Sequence, residues 1–205
     1  MYLSKLILNS RNTQVYRELG NAHALHQRIM QGFPDEQRNQ PRAEWNILYR
    51  QEPDSQIVLV QSDIIPDWNR LPQDYLEHHD TKSLGLMLTH IKAGMTLQFR
   101  LKANPSKREH GTAKTRAITH QTEQVAWLER QASRHSFKLL NVDVIPVPNI
   151  YGRKAKTPAS IKIVGVLYQG ALQVSNPELF TQALRCGIGR GRSYGCGLLS
   201  IARLN

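Results

Sequence analysis

His23 and His26 stand three residues apart, a spacing that on a helix brings both imidazoles to neighbouring points of one face. An imidazole exchanges a proton near neutral pH. Transesterification of a ribose phosphodiester needs one proton taken from the 2′-OH and one returned to the departing 5′-oxygen. The pair is a candidate acid/base site, and spacing alone leaves an inert surface pair as the alternative. A second candidate is the stretch Gly187-Ile-Gly-Arg-Gly-Arg-Ser-Tyr-Gly-Cys-Gly197. Dinucleotide and P-loop motifs follow a strand and open a helix, whereas the order expected here is helix, loop, strand, and the terminal GK[ST] of a P-loop is missing. Two uses remain open. Gly189 and Gly191 could let backbone N–H groups approach phosphate, with Arg190 and Arg192 supplying charge and bidentate donors, or the glycines could serve a turn that needs positive φ.

Other clusters carry less. His78-His79-Asp80 could ligate a metal only if adjacent histidines converged, and on a regular element they diverge, so a solvated loop is expected. The triplets His110-Gly-Thr112 and His120-Gln-Thr122 crowd one segment, and chance supplies such triplets at this His, Ser and Thr content. HExxH and paired-cysteine motifs are absent from the sequence, so neither a metal nor a cofactor is expected. Cys186 and Cys196 read as two small hydrophobes, although the glycines around them would permit a disulfide.

The elements that must position these groups follow from periodicity. Tyr2 to Asn9 reads as a strand, and Asn12 or Thr13 as the cap of a helical stretch reaching about Phe33 with a break near Gly20, burying Leu25, Ile29 and Phe33. Glu44 to Arg50 and Gln56 to Ser62 form a hairpin; a short helix after Pro66, with Trp68, Leu71 and Tyr75, and a strand near 83 to 91 complete βαββαβ. Met95 to Ala103 alternates Leu97, Phe99 and Leu101 with Gln98, Arg100 and Lys102. A mobile basic loop, Asn104 to His120, precedes a helix at Gln121 to Ser136 with Val125, Leu128 and Ala132 inward. Strands at 139 to 147 and 161 to 174, separated by a turn from Pro146 to Pro158, a helix opened by a Ser175-Asn-Pro-Glu178 capping box, and a strand at 198 to 204 give βαββαβ again. The expected fold class is α+β: two tandem ferredoxin-like domains with antiparallel sheets, at 1–90 and 91–205.

Charge divides along the same line. The chain of 205 residues carries a formal +11, but residues 1–80 hold 8 basic and 11 acidic side chains while 81–205 hold 19 and 5. Such asymmetry fits a polyanionic partner. No long apolar span is present, so a membrane is not expected, and neither a signal peptide nor cysteine-rich composition removes the cytoplasm as the expected location. Nucleic acid is the better partner, with Arg100, Lys102, Lys107, Arg108, Lys114, Arg116, Arg153, Lys154 and Lys156 as candidate contacts. RNA is favoured over DNA because no helix is rich in Arg, Asn and Gln.

The chain resembles the CasE family, the CRISPR repeat-processing endoribonucleases of the type I-E Cascade complex. The resemblance runs end to end and rests on MYLSKLIL, Leu25-His26-Gln27, Leu97-Gln-Phe-Arg-Leu-Lys-Ala-Asn-Pro105, Glu123-Gln-Val-Ala-Trp-Leu128, and above all Gly187-Ile-Gly189 with Ser193-Tyr-Gly-Cys-Gly-Leu-Leu-Ser200. It implies a double ferredoxin-like fold. It also implies metal-independent cleavage at the 3′ base of a repeat RNA hairpin by attack of the 2′-OH, a 2′,3′-cyclic phosphate end, and retention with the guide among other Cascade subunits. His26 matches the catalytic histidine. Family members often carry tyrosine where His23 stands, so His23 replaces it as proton donor or phosphate ligand, or merely packs. The basic segment after Asn104 and the turn Arg153 to Lys156 are where the family grips its hairpin, with Lys162 near the active-site side. A non-catalytic hairpin-binding subunit is the competing expectation.

Overall fold

The computed structural model of the protein describes residues 1–35, 40–109, 111–112, 114–153 and 160–204. Four strands, β1 (Tyr2–Leu8), β2 (Leu48–Gln51), β3 (Ile57–Ser62) and β4 (Leu76–Ser83), form an antiparallel sheet in the order β2-β3-β1-β4. Alternation sets their facing: β1 buries Ser4, Leu6 and Leu8, the period of a half-covered strand. Helices α1 (Thr13–Leu19) and α2 (Ala22–Met30) supply the apolar stripe with Val15, Leu25 and Ile29, and Phe33 follows them into the core. The helical stretch breaks after Gly20 because Asn21 starts a second helix. Asn12 and Asn21 each accept the N–H two residues on, satisfying donors that a helix start leaves orphaned.

α2 is also fixed from behind. Buried Glu18 accepts two hydrogen bonds from the Arg28 guanidinium, at 2.6 and 3.0 Å, and a third from the Tyr75 hydroxyl at 2.7 Å. The guanidinium also lies over the Tyr75 ring, 5.0 Å from its centroid. A charge pair out of water is tolerated only when such bonds satisfy it. Of two one-turn helices, α3 (Pro41–Glu44), with Pro41 at its start, precedes β2, and α4 (Gly85–Thr89) follows β4.

Among the described residues the second half has eight strands: β5 (Thr96–Ala103), β6 (Ser106–Arg108), β7 (Thr115–Ala117), β8 (Phe137–Pro146), β9 (Ile150–Arg153), β10 (Ser160–Ile163), β11 (Val166–Val174) and β12 (Leu199–Arg203). β5, β8, β11 and β12 make a second antiparallel sheet in the order β12-β5-β11-β8. Its core gathers Leu97, Phe99 and Leu101 with Trp127, Leu128 and Ala132 of α5 (Gln121–Arg134) and Phe180, Ala183 and Leu184 of α6 (Pro177–Cys186). In both sheets the first strand of the unit is central, flanked by the third and fourth, and the second lies at an edge. The molecule is therefore two ferredoxin-like units in tandem.

Several details depart from expectation. The strand near 83 to 91 is instead β4, ending at Ser83, and α4 occupies 85–89. β4 is polar, LEHHDTKS, and owes its existence to pairing with β1, His79 opposite Leu6 and Asp80 opposite Lys5. His78-His79-Asp80 is thus strand, not loop. After Pro66 there is only a 3-10 turn, Trp68–Arg70; Trp68, Leu71 and Tyr75 are buried nonetheless, but Pro72 denies them a continuous helix. The polar run after Asn104 is a β6–β7 hairpin anchored by buried Ile118. The turn after Pro146 contains β9, which pairs with β10, and Val164 and Gly165 separate β10 from β11. Asn176, not Ser175, caps α6, accepting from Glu178 N and Leu179 N with Pro177 in the first turn. Trp127 takes the core place expected of Val125, which is half-buried. Both cysteines are free, Cys196 buried and Cys186 partly so. Among the described residues no helix is long and apolar enough to cross a membrane.

Candidate active site

Successive side chains of a strand face opposite ways, and β2 uses this to serve two surfaces. Tyr49 points toward α2, its hydroxyl 3.1 Å from the Ser193 carbonyl and 3.4 Å from that of Ala22. Arg50 points the other way, into the joint between the sheets. It is 2 % exposed and donates to the carbonyls of Arg100 (3.0 Å) and Leu198 (3.2 Å) and to the Glu52 carboxylate (2.7 Å). Gln61 of β3 adds a bond to the Leu184 carbonyl at 2.7 Å. These contacts hold the glycine-rich segment of the second unit against the histidine helix of the first.

His26 lies over this joint. Its ring stacks on Tyr49, centroids 6.5 Å apart and planes 18° apart, and meets Tyr194 edge-on at 6.4 Å and 69°. Tyr194 ends the 3-10 turn Arg192–Tyr194, which is framed by Gly191 and Gly195, both left-handed at φ 79° and 81°. A side chain at Gly195 would be strained by that φ, and its Cβ would approach the Tyr49 ring to 3.2 Å. The turn requirement for glycine is therefore met here. The same turn brings Tyr194 to His26, with Arg192 two residues before it.

His23 sits one turn earlier on α2, partly buried. Its Nδ1 is buried without a hydrogen-bond partner among the described residues. β9 packs directly against this turn. Asn21 Oδ1, which caps α2 through the His23 N–H, also accepts from the Arg153 N–H at 3.1 Å, and a Cβ at Gly152 would come within 3.1 Å of His23 N.

The electrostatics give His26 its character. Burial, then the charge of Arg42, then that of His23 push its pKa down to about 4, so the imidazole is neutral at neutral pH. Arg42 comes from α3 and donates through Nη1 to the Ile47 carbonyl at 3.2 Å. Its own pKa is lowered by burial and by Arg192. Arg192 in turn donates through Nε to the Gly189 carbonyl at 3.1 Å. A neutral base near a guanidinium that forms no ion pair among the described residues suits proton abstraction next to an anion.

Of the residues singled out from sequence, His23, His26, Gly189, Gly191, Arg192 and the exposed Arg153 fall together around this joint. Arg190 is exposed and bonds the Thr115 hydroxyl, and its backbone bridges to Asn104, so the glycine loop is continuous with the β6–β7 hairpin. Arg108, Lys114 and Arg116 are exposed there. Lys107 is ion-paired with Glu123 at 2.9 Å. Lys162 is exposed on β10 opposite Tyr151. Lys154 and Lys156 lie outside the described residues.

Arg100 does not join the cluster, whereas Lys102 lies against the glycine-rich stretch, its carbonyl accepting from the Gly197 N–H at 2.8 Å. They share the face of β5 that looks away from its core. Arg100 lines a groove of about 1030 Å³ between the two sheets, with Arg50 and on the opposite face of β2 from Tyr49, and is paired with Glu52 at 3.0 Å and with Gln169 at 3.1 Å. Lys102 is partly buried, and that burial lowers its pKa.

The CRISPR-associated protein family model matches residues 1–203. The CRISPR-associated endoribonuclease Cse3 of Thermus thermophilus is 33% identical over 98% of this chain and all of its own length. The chain belongs to the CasE family. The Cascade subunit CasE of Escherichia coli K12 is 30% identical over the full length of both chains. A structure of Cse3 bound to a 19-nucleotide RNA is similar to this chain with a TM-score of 0.86 and 32% identity, covering 98% of this chain and 100% of that one.

Within this CasE-family fold, sequence reasoning missed Arg42, Tyr49 and Tyr194. Tyr194 lay in the quoted glycine-rich stretch, but only the loop geometry turns its ring toward His26. Arg42 falls in the acidic first part, where a charge count averages it away.

Proposed function

We propose that this protein is an endoribonuclease that binds the CRISPR repeat hairpin of a precursor RNA, cuts at the 3′ base of the stem, and stays with the mature guide in a Cascade complex. The observation that carries the reading is the His26 site: a partly buried imidazole, its pKa lowered to about 4 by burial and by Arg42, packed against Tyr49 and against Tyr194 of the glycine-rich turn. The names of the relatives, an endoribonuclease and a Cascade subunit, support it.

In the proposed reaction His26 takes the proton of a ribose 2′-OH. The O2′–P bond forms, the P–O5′ bond breaks, and the 5′-oxygen leaves with a proton supplied by His23. No metal is required, because the guanidiniums offset the charge that grows on the phosphate oxygens. The exposed cations of the β6–β7 hairpin, with Arg190, Arg153 and Lys162, hold the stem. A-form RNA hides its base edges in a narrow major groove, so such a surface reads shape and phosphate more than sequence.

End-group analysis tests the proposal. The upstream fragment is expected to carry a 2′,3′-cyclic phosphate that resists phosphatase until acid opens it, and the downstream fragment a free 5′-OH. A 5′-phosphate on the downstream fragment would mean attack by water and would contradict the proposed reaction.

A further inference from the structure

We propose that Arg42 is a further catalytic residue: together with Arg192 it seats the scissile phosphate at the joint between the two ferredoxin-like units and stabilises the charge that grows on its non-bridging oxygens. The inference rests on the cleavage reading above and adds a residue to it.

The two guanidiniums come from opposite halves of the chain, Arg42 from α3 and Arg192 from the turn after Gly191. Each is tethered by one nitrogen to a main-chain carbonyl, Arg42 Nη1 to Ile47 and Arg192 Nε to Gly189. Each therefore keeps further N–H donors for a ligand. Both side chains are partly buried.

What sets the pair apart is its missing counter-charge. The more deeply buried arginines are neutralised: Arg28 by Glu18 at 2.6 Å and Arg50 by Glu52 at 2.7 Å. Among the described residues neither Arg42 nor Arg192 forms an ion pair with a carboxylate, and the charge that acts on Arg42 is the like charge of Arg192. Two partly buried cations whose charges act on each other cost free energy that an anion between them relieves. A phosphodiester is such an anion, and a planar guanidinium matches its paired oxygens with two donors.

The position relative to His26 sets the role. Arg42 is anchored to the Ile47 carbonyl, two residues before Tyr49, whose ring stacks on His26 and whose hydroxyl donates to the Ser193 carbonyl beside Arg192, so a phosphate held there lies at the base, whose pKa the Arg42 charge helps to lower. In the step already written, the proton passes from the 2′-OH to His26, O2′–P forms and P–O5′ breaks. Arg42 stays protonated throughout and exchanges no atoms. Its effect grows as the phosphorus becomes five-coordinate and gains a second negative charge, which raises rate more than affinity.

The groups facing His26 are His23 on its own helix, Arg42 on α3, Tyr49 on β2 and Tyr194 beside Arg192 on the glycine loop.

The test compares wild type, R42A and R42K in three measurements: single-turnover cleavage of a labelled repeat hairpin at saturating protein, affinity for the same hairpin made uncleavable by a 2′-deoxy nucleotide at the cut, and titration of the His26 imidazole by NMR in the free protein. R42A is expected to lose about 10²- to 10³-fold in rate and no more than about threefold in affinity, one phosphate contact among many. Its His26 should titrate at higher pH than in the wild type. R42K keeps a charge near His26 and a donor for the Ile47 carbonyl but lacks the fork. It should hold the low His26 pKa while recovering only part of the rate, which separates chemistry from any folding defect of R42A. An R42A protein that cuts within threefold of wild type would overturn the role of Arg42 and leave the nuclease reading standing. A wild type that binds the hairpin without cutting it would remove both.

Discussion

Replacing His26 by Ala is expected to slow single-turnover cleavage of a repeat hairpin by about 10²- to 10⁴-fold, the usual worth of a general base. Affinity should stay within about threefold, because a neutral imidazole neutralises no phosphate and releases no counterion. The same property fixes the pH dependence. Burial, Arg42 and His23 lower the His26 pKa to about 4, so in the free protein the base is lost only as pH falls toward 4, well below the ordinary histidine value of about 6.5. At subsaturating RNA the rate should therefore rise with pH on an acid limb centred below 6.5, and H26A should lack that limb. A bound phosphate draws the pKa upward, moving the limb to higher pH at saturation. Were His26 the proton donor instead, the rate would fall with pH through the same range. Equal losses of rate and affinity in H26A would contradict a proton-transfer role.

The second large effect concerns the joint on which the site is built. Arg50 to Ala removes a guanidinium that is 2 % exposed and binds two carbonyls of the second unit and the carboxylate of Glu52. The expected loss is about 3 to 5 kcal/mol, the cost of breaking a buried pair and leaving its partners unsatisfied. At this chain length that corresponds to a fall in Tm of roughly 10 °C. Calorimetry reads it directly. R50M separates the two parts of the cost, since an apolar residue of similar length fills the space without replacing the bonds. If R50A melts within about 1 °C of wild type, the joint is held by packing such as Leu48 against Gly187, not by Arg50. Because Tyr49 is the next residue, R50A should also loosen the contact between His26 and the glycine loop and lower cleavage at temperatures where the protein remains folded.

How much of this was legible in the sequence depended on whether a segment carries its own reason to fold. β1 and β5 alternate cleanly and form as expected, and the break between α1 and α2 follows from Asn21 acting as a cap. β4 could not be read the same way: Leu76 to Ser83 is polar, and its strand state comes from pairing with β1 at the far start of the chain. The β6–β7 and β9–β10 hairpins have the composition of loops, and Ile118 and Gly152 tie them down only once the second core and α2 exist.

The site divides similarly. Histidine spacing raised His26 as a candidate, the family resemblance singled it out, and the glycine loop stood out by composition. Arg42 and Tyr49 come from elements between which sequence offers no link, and their meaning appears only when β2 turns one residue toward α2 and the next into the joint. Arg100 shows the converse. Its alternation with Leu97, Phe99 and Leu101 marks a polar face correctly, but at Arg100 that face looks into a groove where Glu52 is already its partner.

The most direct test of the central claim is cleavage of an end-labelled repeat hairpin in EDTA, comparing an all-ribose substrate with one bearing a single 2′-deoxy nucleotide immediately 5′ of the cut, with binding of both followed in parallel. The account predicts cutting of the ribose substrate at the 3′ base of the stem, no cutting of the deoxy substrate, and equal affinity for the two. Cutting of the deoxy substrate at a comparable rate, or activity that vanishes in EDTA and returns with Mg²⁺, would contradict it.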